Sequence, residues 1–269
     1  MESIITMTKP LISVVIPNLN DARVGKAIES VIKQEEKCFE LIIVDGLSTN
    51  QAVHDIYGKY ANHLDLLIRE ADTGIFDALN KGIKAAKGKY VYLMGADDHL
   101  SDTHVFQSIK SLEALDENFD VFCIGCIYTD SKQRVIRQWF PKQINAARMR
   151  WGILPPHFGM FIGKHVYDEV GLFDLSKGHV GTDAYWFLKL ALNDTITYKV
   201  VPKHYINMAI GGTSTGSFRN ILTAFINTGK TARELNYWNW VLIPIIKIIV
   251  KTPQFLLKKT HTVSRRITE

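Results

Sequence analysis

Three short apolar runs separated by two helical stripes constrain this chain more than any other feature. Residues 11–16 (LISVVI), 39–44 (FELIIV) and 64–68 (LDLLI) are dominated by branched apolar side chains. The first two are nearly unbroken, the pattern of strands buried on both faces in a parallel sheet. Between them, Val24, Ala27, Ile28, Val31 and Ile32 recur at the spacing of one helix face, and Val53, Ile56, Tyr57 and Tyr60 repeat that spacing after the capping residues Ser48, Thr49 and Asn50. Strand, helix, strand, helix, strand in this order predicts a doubly wound sheet with right-handed crossovers.

The next unit, residues 69–98 (READTGIFDALNKGIKAAKGKYVYLMGADD), carries the chemistry. A polar turn at 70–74 opens a helix with Ile75, Leu79, Ile83 and Ala86 on one side; Lys87-Gly88 ends it, and the strand 90–94 delivers Asp97 and Asp98. In open α/β sheets ligands gather outside the carboxyl ends of the strands, so both carboxylates are placed to meet one. Adjacent carboxylates repel each other. A hard divalent cation, Mg²⁺ or Mn²⁺, relieves that repulsion and leaves coordination positions for phosphate oxygens.

Further on, residues 119–128 and 135–140 read as an antiparallel hairpin across a polar turn, so the sheet is expected to be parallel in its first half and mixed in its second. A helix around 144–151, an extended Leu154-Pro155-Pro156-His157-Phe158 loop, a short strand at 160–162, a helix to Val170 and a helix over 184–192 capped by Thr182 follow. Asp183 falls in the first turn of that last helix, where the macrodipole favours its ionised form. Two strand-like stretches, 196–201 and 205–210, precede a glycine-rich GGTSTG, read as a mobile loop able to close over a ligand. That loop lacks the Lys-Ser/Thr ending of a phosphate-binding P-loop, and the turn after the first strand has no glycine, which disfavours a dinucleotide site. Cys123 and Cys126 form a CxxC, but inside an apolar run they read as buried strand residues. Three cysteines, an odd number, point to a reducing compartment.

Charge is informative here because of where it sits. From Lys247 onward there are six basic residues and one acid, so the tail holds the whole formal charge of +5. A basic tail on a neutral body points to an anionic surface met by the tail and not to nucleic acid. The apolar runs between Trp238, Trp240 and the lysines fall short of the roughly 20 residues a spanning helix needs, and suit a helix lying among lipid headgroups; the alternative is a helix docked on the protein's own core. The expected division is a domain over 1–217 and a helical, basic, membrane-associated extension over 218–269, with the protein in the cytoplasm at the inner face of the membrane.

SVVIPNLN, IIVDGLST, EADTGIFDALNKGIKAAKGKYVYLMGADD, LPPHFGMF and then GLFD with GTDAYWFLKL, taken in that order, resemble a family 2 glycosyltransferase of the GT-A fold, most like bacterial enzymes that build surface polysaccharides. The resemblance runs from about residue 11 to 212. It implies a Rossmann-like open sheet in a single domain, with the helical tail beyond it. It implies a nucleotide pocket in which Asp45 contacts the base, Pro17 and Asn20 shape the rim, and Asp72 lies alongside. It makes Asp98 the metal ligand, Asp97 a sugar or ribose contact, Asp183 the catalytic base and His157 a residue close to the site. Three features depart from the usual pattern: Asn50 stands where an Asp is common, Phe158 where a Gln is, and Thr182 and Tyr185 flank the only acid of a base motif that often has a Glu before it or a second acid two positions on.

Such a set suits metal-dependent transfer of a sugar from a nucleoside diphosphate, UDP by default, to a hydroxyl of a lipid-linked or saccharide acceptor. A single base opposite the leaving group implies inversion at the anomeric carbon. The rival readings are a catalytically silent sugar-nucleotide-binding or scaffold protein, and a nucleotidyltransferase; the latter needs a glycine-rich basic N-terminal loop that residues 18–21 do not provide.

Overall fold

The computed structural model describes residues 9–115, 119–130, 132, 134–140, 143–178, 180–209 and 218–256, with side chains left aside at 202, 204, 218–221 and 251–256. The GGTSTG loop and the basic residues from Lys258 on lie outside the described residues.

The sheet has nine strands in the order β3-β2-β1-β4-β8-β6-β9-β5, with β7 also paired to β6. Strands β1 (Ile12–Asn18), β2 (Phe39–Asp45), β3 (Leu66–Arg69) and β4 (Tyr90–Leu93) are parallel. Their crossovers are α1 (Val24–Ile32), α2 (Gln51–Tyr60) and α3 (Ile75–Ala85). Beyond β5 (His99–Leu100) and α4 (Val105–Glu113), the sheet turns mixed: β6 (Val121–Thr129) and β7 (Val135–Trp139) form the expected antiparallel hairpin. The short helix α5 (Ala146–Arg150) and a 3-10 turn at His157–Gly159 lead to β8 (Met160–Gly163), antiparallel to both β4 and β6. Helices α6 (Lys164–Val170) and α7 (Thr182–Leu190), strand β9 (Tyr198–Ala209), and helices α8 (Phe218–Glu234) and α9 (Leu242–Leu256) follow.

The unbroken apolar runs behave as their pattern requires. Ile12, Val14 and Ile16 of β1 pack with α1, α2 and α4 on one face, while Val15 packs with Ala78, Leu79 and Ile83 of α3 on the other, and all of these are buried. A helix therefore covers each side, which is why so few polar residues interrupt the strands. Cys126 belongs to the first core and Cys123 to the second, so the CxxC is two buried thiols on opposite faces of β6.

Three local readings change in the structure. The first strand continues through Pro17 to Asn18, in register with Val44 and Asp45. The Val15 carbonyl accepts from Met94, so odd residues of β1 turn their backbone toward β4; β4 ends at Leu93, and the N–H that proline lacks has no partner to lose there. The two expected late strands are one, β9, in which Ile124↔Val201 is followed by Gly125↔His204, leaving Pro202 and Lys203 out of register. Helix α7 is capped by Gly181 at φ +105°, not by Thr182, whose hydroxyl reaches back to the Gly178 carbonyl.

Curling brings the ends of the sheet together. β5 follows β4 after five residues that include a tight turn, Asp98 N–H to the Gly95 carbonyl, yet in the sheet β8, β6 and β9 stand between them. A flat sheet would hold the two strands about 19 Å apart, four spacings, beyond the reach of a folded turn. The mixed half therefore bends back over the carboxyl ends of the parallel half, as a half-barrel.

The C-terminal helices are docked. Ile243 of α9 is fully buried with Leu188, Ala232 and Tyr237, the Tyr237 hydroxyl donates to the Leu188 carbonyl at 2.7 Å, and Asn239 donates to the Arg150 carbonyl at 3.1 Å. Gly152, at φ +79°, makes room for this: a Cβ there would lie 2.5 Å from the Ile243 carbonyl oxygen. The outer face stays apolar and exposed, with Trp238, Val241, Ile245, Ile248 and Ile249 at its surface. No described helix is long and apolar enough to cross a membrane.

Candidate functional site

At the carboxyl edge of the parallel strands, Asp45 ends β2 with no exposure at all. One oxygen accepts from the Tyr57 hydroxyl at 3.1 Å; the other accepts from the Ser48 N–H at 3.0 Å and from Arg69 Nε at 3.1 Å. Arg69 is the register partner of Asp45 on β3, so two strands that end level bring the pair together. Such a carboxylate is held by three donors and has a cation beside it.

Asn20 fixes the rim. Its backbone takes φ +57°, a conformation asparagine tolerates better than most, and its side-chain oxygen accepts from the N–H groups of Thr49 and Asn50 at 2.8 and 2.9 Å. Asp72 folds over the turn after β2: its carboxylate caps Gly74 N–H at 2.9 Å and lies where a Cβ on Gly46 would meet it at 2.3 Å, which explains the glycine. Pro17 is buried within β1 below this rim.

The acidic pair lies past the end of β4. Asp98 is only 3% exposed; its oxygens accept from Ala209 N–H at 3.1 Å and, at a longer 3.3 Å, from Gly95 N–H. Burial above all, and then the charge of Asp97, push its carboxyl up to about 7. Asp97 is also raised by burial, against the pull of Arg23, whose guanidinium lies 3.4 Å away. A buried carboxylate beside a second one, answered by one exposed arginine, is a donor set short of positive charge, and that fits a hard divalent cation. Among the described residues no cluster of three or more His, Cys, Asp or Glu exists to cage a metal alone. The residues that fit such an ion are therefore Asp98 with Asp97, and ligand oxygens and water would supply the rest.

A continuous polar relay joins the two regions. From Asp97 it runs to Arg23, to Asp21 at 2.5 Å, through Asp21 N–H to the Asn18 side chain, then from Asn18 to the Tyr57 hydroxyl at 2.8 Å and on to Asp45.

The remaining expected residues come from the mixed half. β8 runs antiparallel to β4, with Tyr92 opposite Phe161, so the His157–Gly159 turn just before β8 falls at the edge where β4 delivers its acids. The His157 ring is packed among Phe158, Phe173 and Phe187, and its Nε2 is shut off from solvent with no hydrogen-bond partner among the described residues. Burial pushes the imidazole down to about 4 despite the charge of Asp183. Asp183 occupies the first turn of α7, one turn above Phe187, and its oxygen accepts from Ala184 N–H at 2.8 Å.

The structure thus gathers Pro17, Asn20, Asp45 and Asp72 at one rim, Asp97 and Asp98 beside it through Arg23, and His157 with Asp183 as a second group. Sequence reasoning missed Arg23, Tyr57 and Arg69. Aligning the ends of β2 and β3 would have revealed Arg69, and Tyr57 was read only as part of an apolar stripe.

Comparison with known proteins adds the following. The sequence profile described as Glycosyl transferase family 2 matches residues 13–170, more than half of the chain. A PGL/p-HBAD biosynthesis glycosyltransferase of Mycobacterium tuberculosis is 34% identical over 173 residues, which is 63% of this chain and 65% of the relative. The chain thus spans less than two thirds of the length of that relative. Among solved structures, S. aureus TarS 1-349 in complex with UDP-GlcNAc superposes with a TM-score of 0.67 at 20% identity, covering 96% of this chain and 76% of that one. A mannosyltransferase of Pyrobaculum calidifontis in complex with GDP-Man and Mn²⁺ superposes at 0.58 and 16% identity, covering 92% and 76%. At these identities the structural likeness concerns the fold.

Proposed function

The chain belongs to glycosyl transferase family 2, and from that premise we propose that it moves a sugar, with inversion, from a nucleoside-diphosphate sugar to an acceptor hydroxyl. UDP is the proposed nucleotide, in keeping with the ligand of the S. aureus neighbour. The observation that carries the reading is Asp98, nearly wholly buried beside a second carboxylate and raised to about 7, at the strand ends where a diphosphate would lie.

In this reading Asp45, expected to contact the base, is buried with both oxygens occupied and instead fixes Arg69 and Tyr57 at the base end of the pocket, which Asn20 and Asp72 bound. Asp98 and Asp97 would hold Mn²⁺ or Mg²⁺, and that ion supplies positive charge for the departing diphosphate. Asp183 takes the proton of the attacking hydroxyl, and with the base opposite the leaving group no enzyme nucleophile is required. The acceptor class is a lipid-linked or saccharide hydroxyl. The apolar outer face of α9 and the basic tail support contact with an anionic membrane at the cytoplasmic side.

Thermal unfolding of the full chain with UDP and UDP-GlcNAc, with and without Mn²⁺, tests this. The expected result is a rise in Tm that needs nucleotide and Mn²⁺ together and is lost in Asp98→Ala. A shift that is the same with and without the metal, or that survives Asp98→Ala, refutes the acidic pair as the diphosphate site. Binding without any transfer would favour the catalytically silent reading.

A further inference from the structure

Lys247 lies one turn beyond the fully buried Ile243, on the face of α9 turned toward the protein. Its Nζ donates to the Thr228 hydroxyl at 3.1 Å, and Thr228, itself wholly buried on α8, donates onward to the Ala224 carbonyl at 2.7 Å. Thr228 is thereby fixed from both sides. The preceding residue, Asn227, donates to the Val180 carbonyl at 2.7 Å, and its Cβ would lie 3.0 Å from a Cβ on Gly181. Gly181 caps α7, and Asp183 follows two residues later. The lysine is thus tied, through α8, to the turn that aims Asp183.

Among the described residues no carboxylate pairs with Lys247 within 4.0 Å, so its charge is not spent on a contact ion pair. Loss of hydration lowers the ammonium and the field of Asp183 raises it, so that carboxylate is what offsets the cost of keeping the cation inside. Among the described residues, neutral His157 interacts with Asp183 from the turn before β8, and Lys177, beneath the ring of Tyr185 on α7, is closed in a 2.5 Å pair with Glu234 of α8.

We infer that Lys247, supplied by the C-terminal helix, is a positioning residue for sugar transfer: through Thr228 and the neighbouring Asn227 it fixes the α8 contact with the turn that carries Asp183. This rests on the reading of Asp183 as base. It makes α9 part of the reaction apparatus as well as a surface element.

The test compares Lys247→Met and Lys247→Arg in the full chain, following kcat, donor KM and Tm. Lys247→Met should lower kcat about tenfold, a loss smaller than that of a base itself. Donor KM should stay within about twofold and Tm should not fall, because a buried charge has been replaced by an apolar group of similar length. Lys247→Arg should restore most of kcat. Full kcat in Lys247→Met overturns the inference, and so does a loss of Tm common to both variants, which marks a packing role alone. Wild-type protein that transfers no sugar overturns the functional reading and this one together. Active wild type, inactive Asp183→Asn and unaffected Lys247→Met would remove only the role of Lys247.

Discussion

The rim around Asp45 and the group around Asp183 lie in one molecule and are built in opposite ways. Every oxygen of Asp45 is satisfied, a guanidinium stands beside it, and the loops at Asn20 and Asp72 are tied by short backbone bonds. Around Asp183 the structure is held by aromatic packing; among the described residues the His157 Nε2 has no hydrogen-bond partner, and the Lys247 ammonium bonds a neutral hydroxyl in place of a carboxylate. A region that binds the same group in every cycle gains from being fully satisfied. A region that must pass a proton needs a group whose charge is free to change, and packing can hold such a group in place without consuming its hydrogen bonds.

The sharpest way to break this contrast is Asp183→Asn. Transfer should fall by about 10²- to 10⁴-fold, the range of general base catalysis, while UDP binding by calorimetry stays within about twofold. Loss of nucleotide affinity of the same size would show the two regions to be one. Asp45→Ala should do the reverse. It strands the Tyr57 hydroxyl, the Ser48 N–H and Arg69, costing about 2–4 kcal/mol of stability in urea unfolding and weakening nucleotide binding, with kcat at saturating donor much less affected.

A smaller effect sharpens the comparison from the other side. The imidazole of His157 sits at about 4 in the folded chain against 6.5 when free, so the folded state favours the neutral ring. Below 6.5 the unfolded chain takes up a proton that the folded chain refuses, and stability is lost as pH falls from 6.5 toward 4. His157→Phe fills the same space among Phe158, Phe173 and Phe187 and should remove that loss. The Tm of the variant relative to wild type should rise by about 4–8 °C between pH 7.5 and pH 5, corresponding to about 2 kcal/mol. A difference in Tm that does not change with pH would mean that the ring is hydrated.

The two halves also differed in how much could be read from sequence. The parallel half was legible to within a residue or two because each run is buried on both faces and each stripe has a helical period, so Val14, Val15 and the α1 stripe announced their neighbours. Asp97 and Asp98 were legible as a pair for the same reason, since the strand before them was. In the mixed half the β6–β7 hairpin, β8 and the helices α5 to α7 were legible, but β5 is two residues long and has no periodicity to detect, and β9 looked like two strands because Pro202 interrupts its pattern. The contacts of Arg23 and Lys247 were invisible in the sequence. Nothing local marks a lysine on a C-terminal helix as the partner of a buried threonine on the helix before it.

The bond from Asp98 to Ala209 spans 111 positions. A chain leaving the ribosome has its parallel strands complete long before the residue that grips Asp98 has been made. Contacts so distant in sequence close slowly, after the local ones. Until β9 arrives the two carboxylates stand in water, where each can stay ionised at little cost. Capture of the strand then drives Asp98 out of water, and in the proposed reading a cation beside it would offset that cost.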